Sequence, residues 1–208
     1  MSKAILSTAY LAPIQYYSKL LKYDEAIIEI YENYPKQTYR NRCCIYGANG
    51  LLDLSIPVKK IDTKTKTKDI KIDYVTNWQK LHWKSIESAY RSSPYFEYYA
   101  DEFLPFFTTK TDFLIDYNLA LQNLIIIIIG IEVRIKNTDN YIVNNELAVA
   151  DYRELINPKK KFIDLDFKQP EYTQVFSTRF SFIPNLSIID LLFNVGPDSL
   201  TYLKSTIC

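Results

Sequence analysis

The chain is short of glycine and almost free of histidine. Only four of its 208 residues are glycine, at Gly47, Gly50, Gly130 and Gly196, and none begins a GxGxxG or GxxxxGK[ST] pattern. Phosphate cradles of those kinds need glycine so that the backbone can approach the phosphates. A nucleotide bound here must be held in another way. GxSxG is absent as well, which excludes the usual hydrolase elbow. A single histidine, His82, makes HExxH impossible and confines imidazole chemistry to one position.

Cysteine is scarce and poorly placed for cross-linking. Cys43, Cys44 and Cys208 are an odd set with two neighbours, a poor disulfide framework. No CxxC is present and only one His could join, so the set is a poor zinc site too. Reduced thiols in a cytoplasmic protein are the simplest expectation. Long apolar runs are also missing. LIIIIIGI, residues 124–131, falls far short of the roughly 20 residues that span a bilayer, and the start MSKAILSTAYLAP lacks a signal peptide's h-region. Neither charge sign dominates: Lys plus Arg is 25, Asp plus Glu is 24, and the net charge is +1. That balance gives no global field for nucleic acid. The expected partner is a small anionic or sugar ligand, with no nucleic acid and no membrane. No metal site and no cofactor can be identified from the sequence.

What is present suits a globular core. A chain of this length buries roughly 70% of its unfolded surface without a staple. One domain over residues 1–208 is expected, with a polar loop or lid excursion at 137–171. AILSTAYL (4–11) reads as a strand, Pro13 opens a helix over IQYYSKLLKY, and AIIEIYENY begins a second strand. This strand–helix–strand opening favours a parallel pair with a right-handed crossover. Ligands of such units lie beyond the carboxyl ends of the strands. That places Tyr10, Glu32, Asn33 and the loop up to Arg42 near one rim.

Residues 42–57 read as a hairpin turning at Asn49-Gly50, with Cys43, Ile45, Leu52, Leu54 and Ile56 on one face. Arg42, Cys44, Tyr46, Asp53 and Ser55 share the other, polar face. The Lys- and Thr-rich stretch 59–71 reads as an exposed hairpin extension. IKIDYV is expected to be a strand. A helix follows, capped by Thr76 with Gln79, whose inward face carries Trp78, Leu81, His82, Ile86 and Ala89. YFEYYADEFLPFF reads as a short helix after Ser93-Pro94. TDFLIDYNLALQNLIIIII reads as a longer helix stopped by Gly130. IEVRI and TQVFST read as strands, and PNLSIIDLLFN and PDSLTYLKS as short helices. The expected class is α/β: a mixed sheet opening with the strand–helix–strand unit, an antiparallel hairpin attached, and helices packed around it.

Several groups could carry chemistry. His82 is either a packed core histidine or a general base that Asp116 or Asp190 orients. Asp116, one turn after Asp112, can also be a simple helix-dipole complement. Asp190 sits on an otherwise apolar helix, which suggests a buried role, with Arg179 as a candidate partner. Glu32, Asn33, Lys36, Arg40, Asn41 and Arg42 cluster within eleven residues. Their guanidinium groups suit phosphate or carboxylate, and a solvated loop with salt bridges is the competing picture. Eighteen tyrosines offer sugar-stacking faces, among them Tyr10 and Tyr16, although tyrosine number decides nothing by itself. Cys44 has no base beside it in sequence that would make it a nucleophile.

Five segments together carry a family resemblance: STAYLAPIQYYSKL, NYPKQTYRNRCCI, DYVTNWQKLHWKSIESAYRSSPYFEYY, IDYNLAL and FIPNLSIIDLLFNVGP. In order and spacing they resemble the WbqC-like family, with weak agreement over 137–171. The family's Lys and Asn-Arg fall on Lys36, Asn41 and Arg42, and its Trp and His on Trp78 and His82. Other branches open with His-Gln-Pro-x-Tyr. This chain keeps Tyr10 but has LSTA before it, so no role of that first histidine carries over. The resemblance implies surface-polysaccharide and O-antigen biosynthesis. It implies a cytoplasmic transferase of sugar-nucleotide or glycan-precursor metabolism, with acyl or aminoacyl transfer to an amino sugar fitting that setting. In this reading Lys36, Arg40 and Arg42 bind the anion, Tyr10, Tyr16 and Trp78 line the pocket, and Asn33 and Asn41 join them. A non-catalytic binding or scaffold module is the alternative.

Overall fold

The computed structural model describes residues 1–143, 149–159 and 162–208. The chain opens as β1 (Lys3–Ser7), α1 (Ile14–Lys22) and β2 (Glu25–Glu29), and β1 and β2 pair in parallel from Lys3↔Glu25 to Ser7↔Glu29. Pro13 caps α1 from outside rather than standing in its first turn. β1 ends at Ser7, and four residues on Leu11 takes a positive φ of 41°.

The sheet gains two more parallel strands, β5 (Arg134–Asn137) beside β2 and β6 (Ala150–Asp151) beside β1, in the order β5-β2-β1-β6. The strand order reverses between β1 and β6. Every buried strand residue here is apolar or acidic, as in AIIE of β2, which suits a sheet covered on both faces. β6 lies in the stretch expected to be an irregular excursion. Residues 144–148 and Lys160 and Lys161 of that stretch lie outside the described residues.

The hairpin β3 (Arg42–Gly47) and β4 (Gly50–Ser55) forms its own two-stranded sheet and is not hydrogen-bonded into the parallel one. The mixed sheet of the sequence reading therefore resolves into two separate sheets. The turn lies one residue earlier than in that reading, which shifts the pairing by two and keeps the faces. Gly47 pairs with Gly50, so Ala48-Asn49 make the turn, and Gly50 supplies the left-handed backbone at φ 100°. The predicted faces survive, since Cys43 pairs with Leu54 and Ile45 with Leu52. Tyr46 is the exception on the polar face: it is fully buried, and its hydroxyl donates to the Ser181 carbonyl at 2.8 Å.

The helices follow as α2 (Trp78–Tyr90), α3 (Phe96–Thr108), α4 (Leu114–Ile129), a four-residue α5 (Ser177–Phe180), α6 (Ile188–Val195) and α7 (Ser199–Ser205). Asn77 rather than Thr76 caps α2, accepting from the Lys80 backbone N–H at 3.3 Å. Gln79 instead donates to the Phe106 and Thr109 carbonyls. Trp78, His82, Ile86 and Ala89 are buried as their spacing predicts, whereas Leu81 is exposed. The isoleucine run is helical, and Gly130 ends it at φ 76° with its N–H on the Ile126 carbonyl. Two predicted strands are absent. IKIDYV makes only isolated bridges, Ile72 to Val58 and Lys71 to Phe113, and TQVFST leads into α5. The Lys-rich stretch is not a free extension either, since Thr67 and Ile70 are buried and Asn33 bridges to Lys66. One continuous apolar core joins β1 and β2 to α1, α2, α4 and α6.

Candidate functional site

The carboxyl ends of the parallel strands carry a buried ionic network. Arg40 is 3% exposed and grips Glu32 with two bonds of 2.6 Å, from Nε and Nη2. Its Nη2 also donates to Ser7 Oγ at the end of β1. The Arg40 carbonyl accepts from Asn118 Nδ2 of α4 at 2.8 Å, so the loop before the hairpin is fixed to both the sheet and α4. Arg153, just past β6, donates to both Asp151 carboxylate oxygens and reaches Glu29 Oε2 at 3.3 Å. Glu29 ends β2 and is fully buried, accepting from Thr138 Oγ1 and from the backbone of Tyr31 and Ile142. A charge buried this deeply persists because each guanidinium and carboxylate meets a partner. The network uses up Arg40, whereas Arg42, the first residue of β3, stays half-exposed.

Arg42 lines a cleft of about 680 Å³ between the outward face of the hairpin, residues 155 and 157–159 with Phe162, and residues 183–186. Its Nε is buried and has no hydrogen-bond partner among the described residues. An unpaired buried donor costs about 1–3 kcal/mol unless water or another group completes its bonding. Lys159 joins Arg42 here and hydrogen-bonds the Gln37 side chain. Polar side chains of Gln15, Asp53, Asn157 and Asn185 line the cleft as well. Asn185 sits in a left-handed backbone at φ 56°, which asparagine tolerates well. Cys44 shares the lining, and burial with the neighbouring Asp53 pushes its thiol up to about 12. It is therefore a thiol, not a thiolate, near neutral pH.

His82 lies elsewhere. It is 5% exposed, and its Nδ1 is 2.9 Å from the Tyr10 hydroxyl. The Tyr10 ring stacks on it at 5.7 Å and the Trp78 ring meets it edge-on at 5.1 Å. Burial lowers its pKa to about 4, against a weaker opposing effect of a hydrogen bond to the Ser55 backbone. Burial likewise keeps Tyr10 a phenol, and the imidazole tautomer sets the direction of the bond between them. The expected orienting carboxylates are not beside it. Asp116 faces solvent on α4. Asp190 is fully buried, but it accepts from Tyr90 at 2.9 Å, from Tyr172 and from Gln174 at 2.9 Å. Burial raises its pKa, with those three donors opposing the shift. Arg179 is not its partner and instead donates to the Ala48 carbonyl.

The remaining expected site residues are scattered. Tyr16 is buried with its hydroxyl on the Ser7 carbonyl at 3.1 Å, beside Arg40 and Arg153 in a small internal cavity. Asn41 donates to the Ile56 carbonyl at 2.8 Å and secures the base of the hairpin. Asn33 is exposed and accepts from Lys66, and Lys36 is exposed. Trp78 is core, packed between His82 and Tyr117. The structure thus brings Glu32 and Arg40 together and sets Arg42 in a cleft, apart from Tyr10, Trp78 and His82. Arg153, Glu29, Ser7 and Asn185 were not singled out from the sequence. Glu29 did carry a signal: an acid inside the apolar run AIIEI has to be paired if that run is a buried strand.

The profile of the WbqC-like protein family matches residues 8–159 and 150–202. The chain is 28% identical to the uncharacterized protein Rv1507c of Mycobacterium tuberculosis, over 97% of this chain and 96% of the relative. No solved structure matches it.

Proposed function

Because the chain belongs to the WbqC-like protein family, we propose that it acts in surface-glycan precursor metabolism. It binds an anionic or sugar ligand in the hairpin cleft, as a transferase that passes an acyl or aminoacyl group to an amino sugar. One observation carries the placement of the ligand: the Arg42 guanidinium lines a cleft of about 680 Å³ and keeps a buried, unpartnered Nε. A guanidinium reads phosphate or carboxylate in a bidentate way and needs no glycine loop. Arg40 supports it from behind, since its ion pair with Glu32 fixes the loop that carries Arg42. In this reading the cytoplasm is the site of action and the partner is a small molecule, not a nucleic acid or a membrane. The whole chain acts as one domain, with the segment after β6 covering the carboxyl edge of the sheet.

The enclosure of His82 favours a second reading, a non-catalytic binding module. A general base must reach the proton it abstracts. Here the imidazole is enclosed by Tyr10 and Trp78, and the cleft holds a thiol with a raised pKa rather than an activated nucleophile. A thermal-shift screen of sugar nucleotides on wild type and Arg42→Ala tests the placement. The expected result is a ligand that stabilises the wild type and not the mutant, with both melting alike when unliganded. A ligand that stabilises both equally removes Arg42 from the site.

A further inference from the structure

We infer that the cleft takes an amphiphilic anion: an acyl or alkyl compound with a phosphate or carboxylate head. This rests on the reading of the cleft as the ligand site and names the chemistry of its occupant. The hairpin register sets the order along this face: Arg42 opposite Ser55, Cys44 opposite Asp53, and the buried Tyr46 opposite Leu51. With a rise of ~3.3 Å per residue, the Leu51 end lies about 13 Å from Arg42.

The facing wall keeps the same order. Lys159 bonds Gln37, in the loop that leads to Arg42. The Ser187 backbone N–H donates to the Cys44 carbonyl at 2.8 Å, which puts Asn185 and Leu186 beside the middle of β3. The Tyr46 hydroxyl on the Ser181 carbonyl then sets Ile183 and Pro184 toward the far end. The cleft therefore runs from two cations, with Leu155, Pro158 and Phe162 near Lys159 in the chain, through Asp53 and Asn185, to Leu51, Ile183 and Pro184. Leu51 is 62% exposed, an apolar side chain left open on that lining. A nucleobase at the far end would present donors and acceptors to three side chains that have none. An aliphatic chain matches them, and Asp53 between head and tail can accept from a hydroxyl or an amide N–H.

Isothermal titration of the full chain with inorganic phosphate, ethyl, butyl and hexyl phosphate, and hexanoate tests this. Wild-type affinity is expected to rise about fourfold per methylene from ethyl to hexyl phosphate. Leu51→Asn, a change at an exposed position, should flatten that rise and leave ethyl phosphate within twofold. Arg42→Ala should weaken every phosphate and leave the rise intact. Hexanoate tracking hexyl phosphate would identify a carboxylate head, and hexanoate failing a phosphate head; either supports the inference when the rise is seen. Phosphates that bind with one Arg42-dependent affinity regardless of chain length would overturn the apolar tail while the ligand site stands. Arg42-dependent binding of sugar nucleotides with no alkyl phosphate binding would overturn it as well. Binding of neither class would overturn both the site and the inference.

Discussion

At His82 the folded chain holds a proton less tightly than the unfolded chain does. An imidazole of ordinary pKa 6.5 is lowered to about 4 by burial against Tyr10 and Trp78. Between those values the unfolded state takes up a proton that the folded state refuses. The stability tied to this group is therefore complete above about pH 6.5 and is lost as pH falls toward 4. The whole shift corresponds to roughly 3 kcal/mol. Asp24, Glu25 and Asp166, whose carboxyls are lowered by hydrogen bonds and lysines, steepen the same acid loss in any variant. We expect His82→Gln to make the urea-derived stability profile about 2 kcal/mol shallower between pH 7 and pH 4.5. Parallel profiles for wild type and mutant would show that the imidazole is solvated. The inward position of His82 was legible from helical spacing alone. The partner of its ring was not, because Tyr10 is 72 residues away and reaches it only through the fold.

Elements were legible where local chemistry decides them. α4 was readable because Gly130 stops it, and the hairpin because alternation sorts Cys43, Ile45 and Leu54 onto one face. The turn was misplaced by one residue because Gly47 and Gly50 flank Ala48-Asn49, and a glycine just after the loop supplies the positive φ as well as one inside it. IKIDYV and TQVFST failed as strands since neither finds a continuous partner, and partners are set by tertiary structure. Two glycines with positive φ differ in backbone region and in packing: Gly130 is left-handed helical at ψ 38°, and Gly196 is not, at ψ -128°. Gly130 at φ 76° has open space where a Cβ would stand, so Gly130→Ala should cost about 1 kcal/mol, the left-handed penalty alone. Gly196 at φ 62° would place a Cβ 2.5 Å from the Tyr95 ring. Gly196→Ala should cost about 3 kcal/mol or more, as strain is added to the backbone term. Chemical denaturation of the two variants measures this, and equal losses would contradict the close approach of Tyr95.

Across the molecule, buried ion pairs tie distant segments to the parallel sheet and to α1. Arg40 binds Glu32 and Ser7, Arg153 binds Glu29 and Asp151, and Lys19 of α1 pairs with Asp164 at 2.7 Å. Removing one member of such a pair leaves a buried charge, which is why the pairs fix geometry more than they add stability. The rule that ligands lie beyond the carboxyl ends of parallel strands pointed to the loop from Glu32 to Arg42. It did not reveal that Arg40 would be consumed inside and Arg42 presented outside, because the divide depends on Ser7 and Asn118, residues 33 and 78 positions away. Nor did it find Arg153, which is 124 residues from Glu29 and follows a strand of two residues. On this reading the ligand occupies the hairpin cleft and not the surroundings of His82. Hydrogen–deuterium exchange with and without the best-stabilising sugar nucleotide or alkyl phosphate tests it most directly. We predict slowed exchange over residues 42–55 and 183–188, with α2 unchanged around His82. Protection confined to α2, with the hairpin exchanging as in the free protein, would contradict the account.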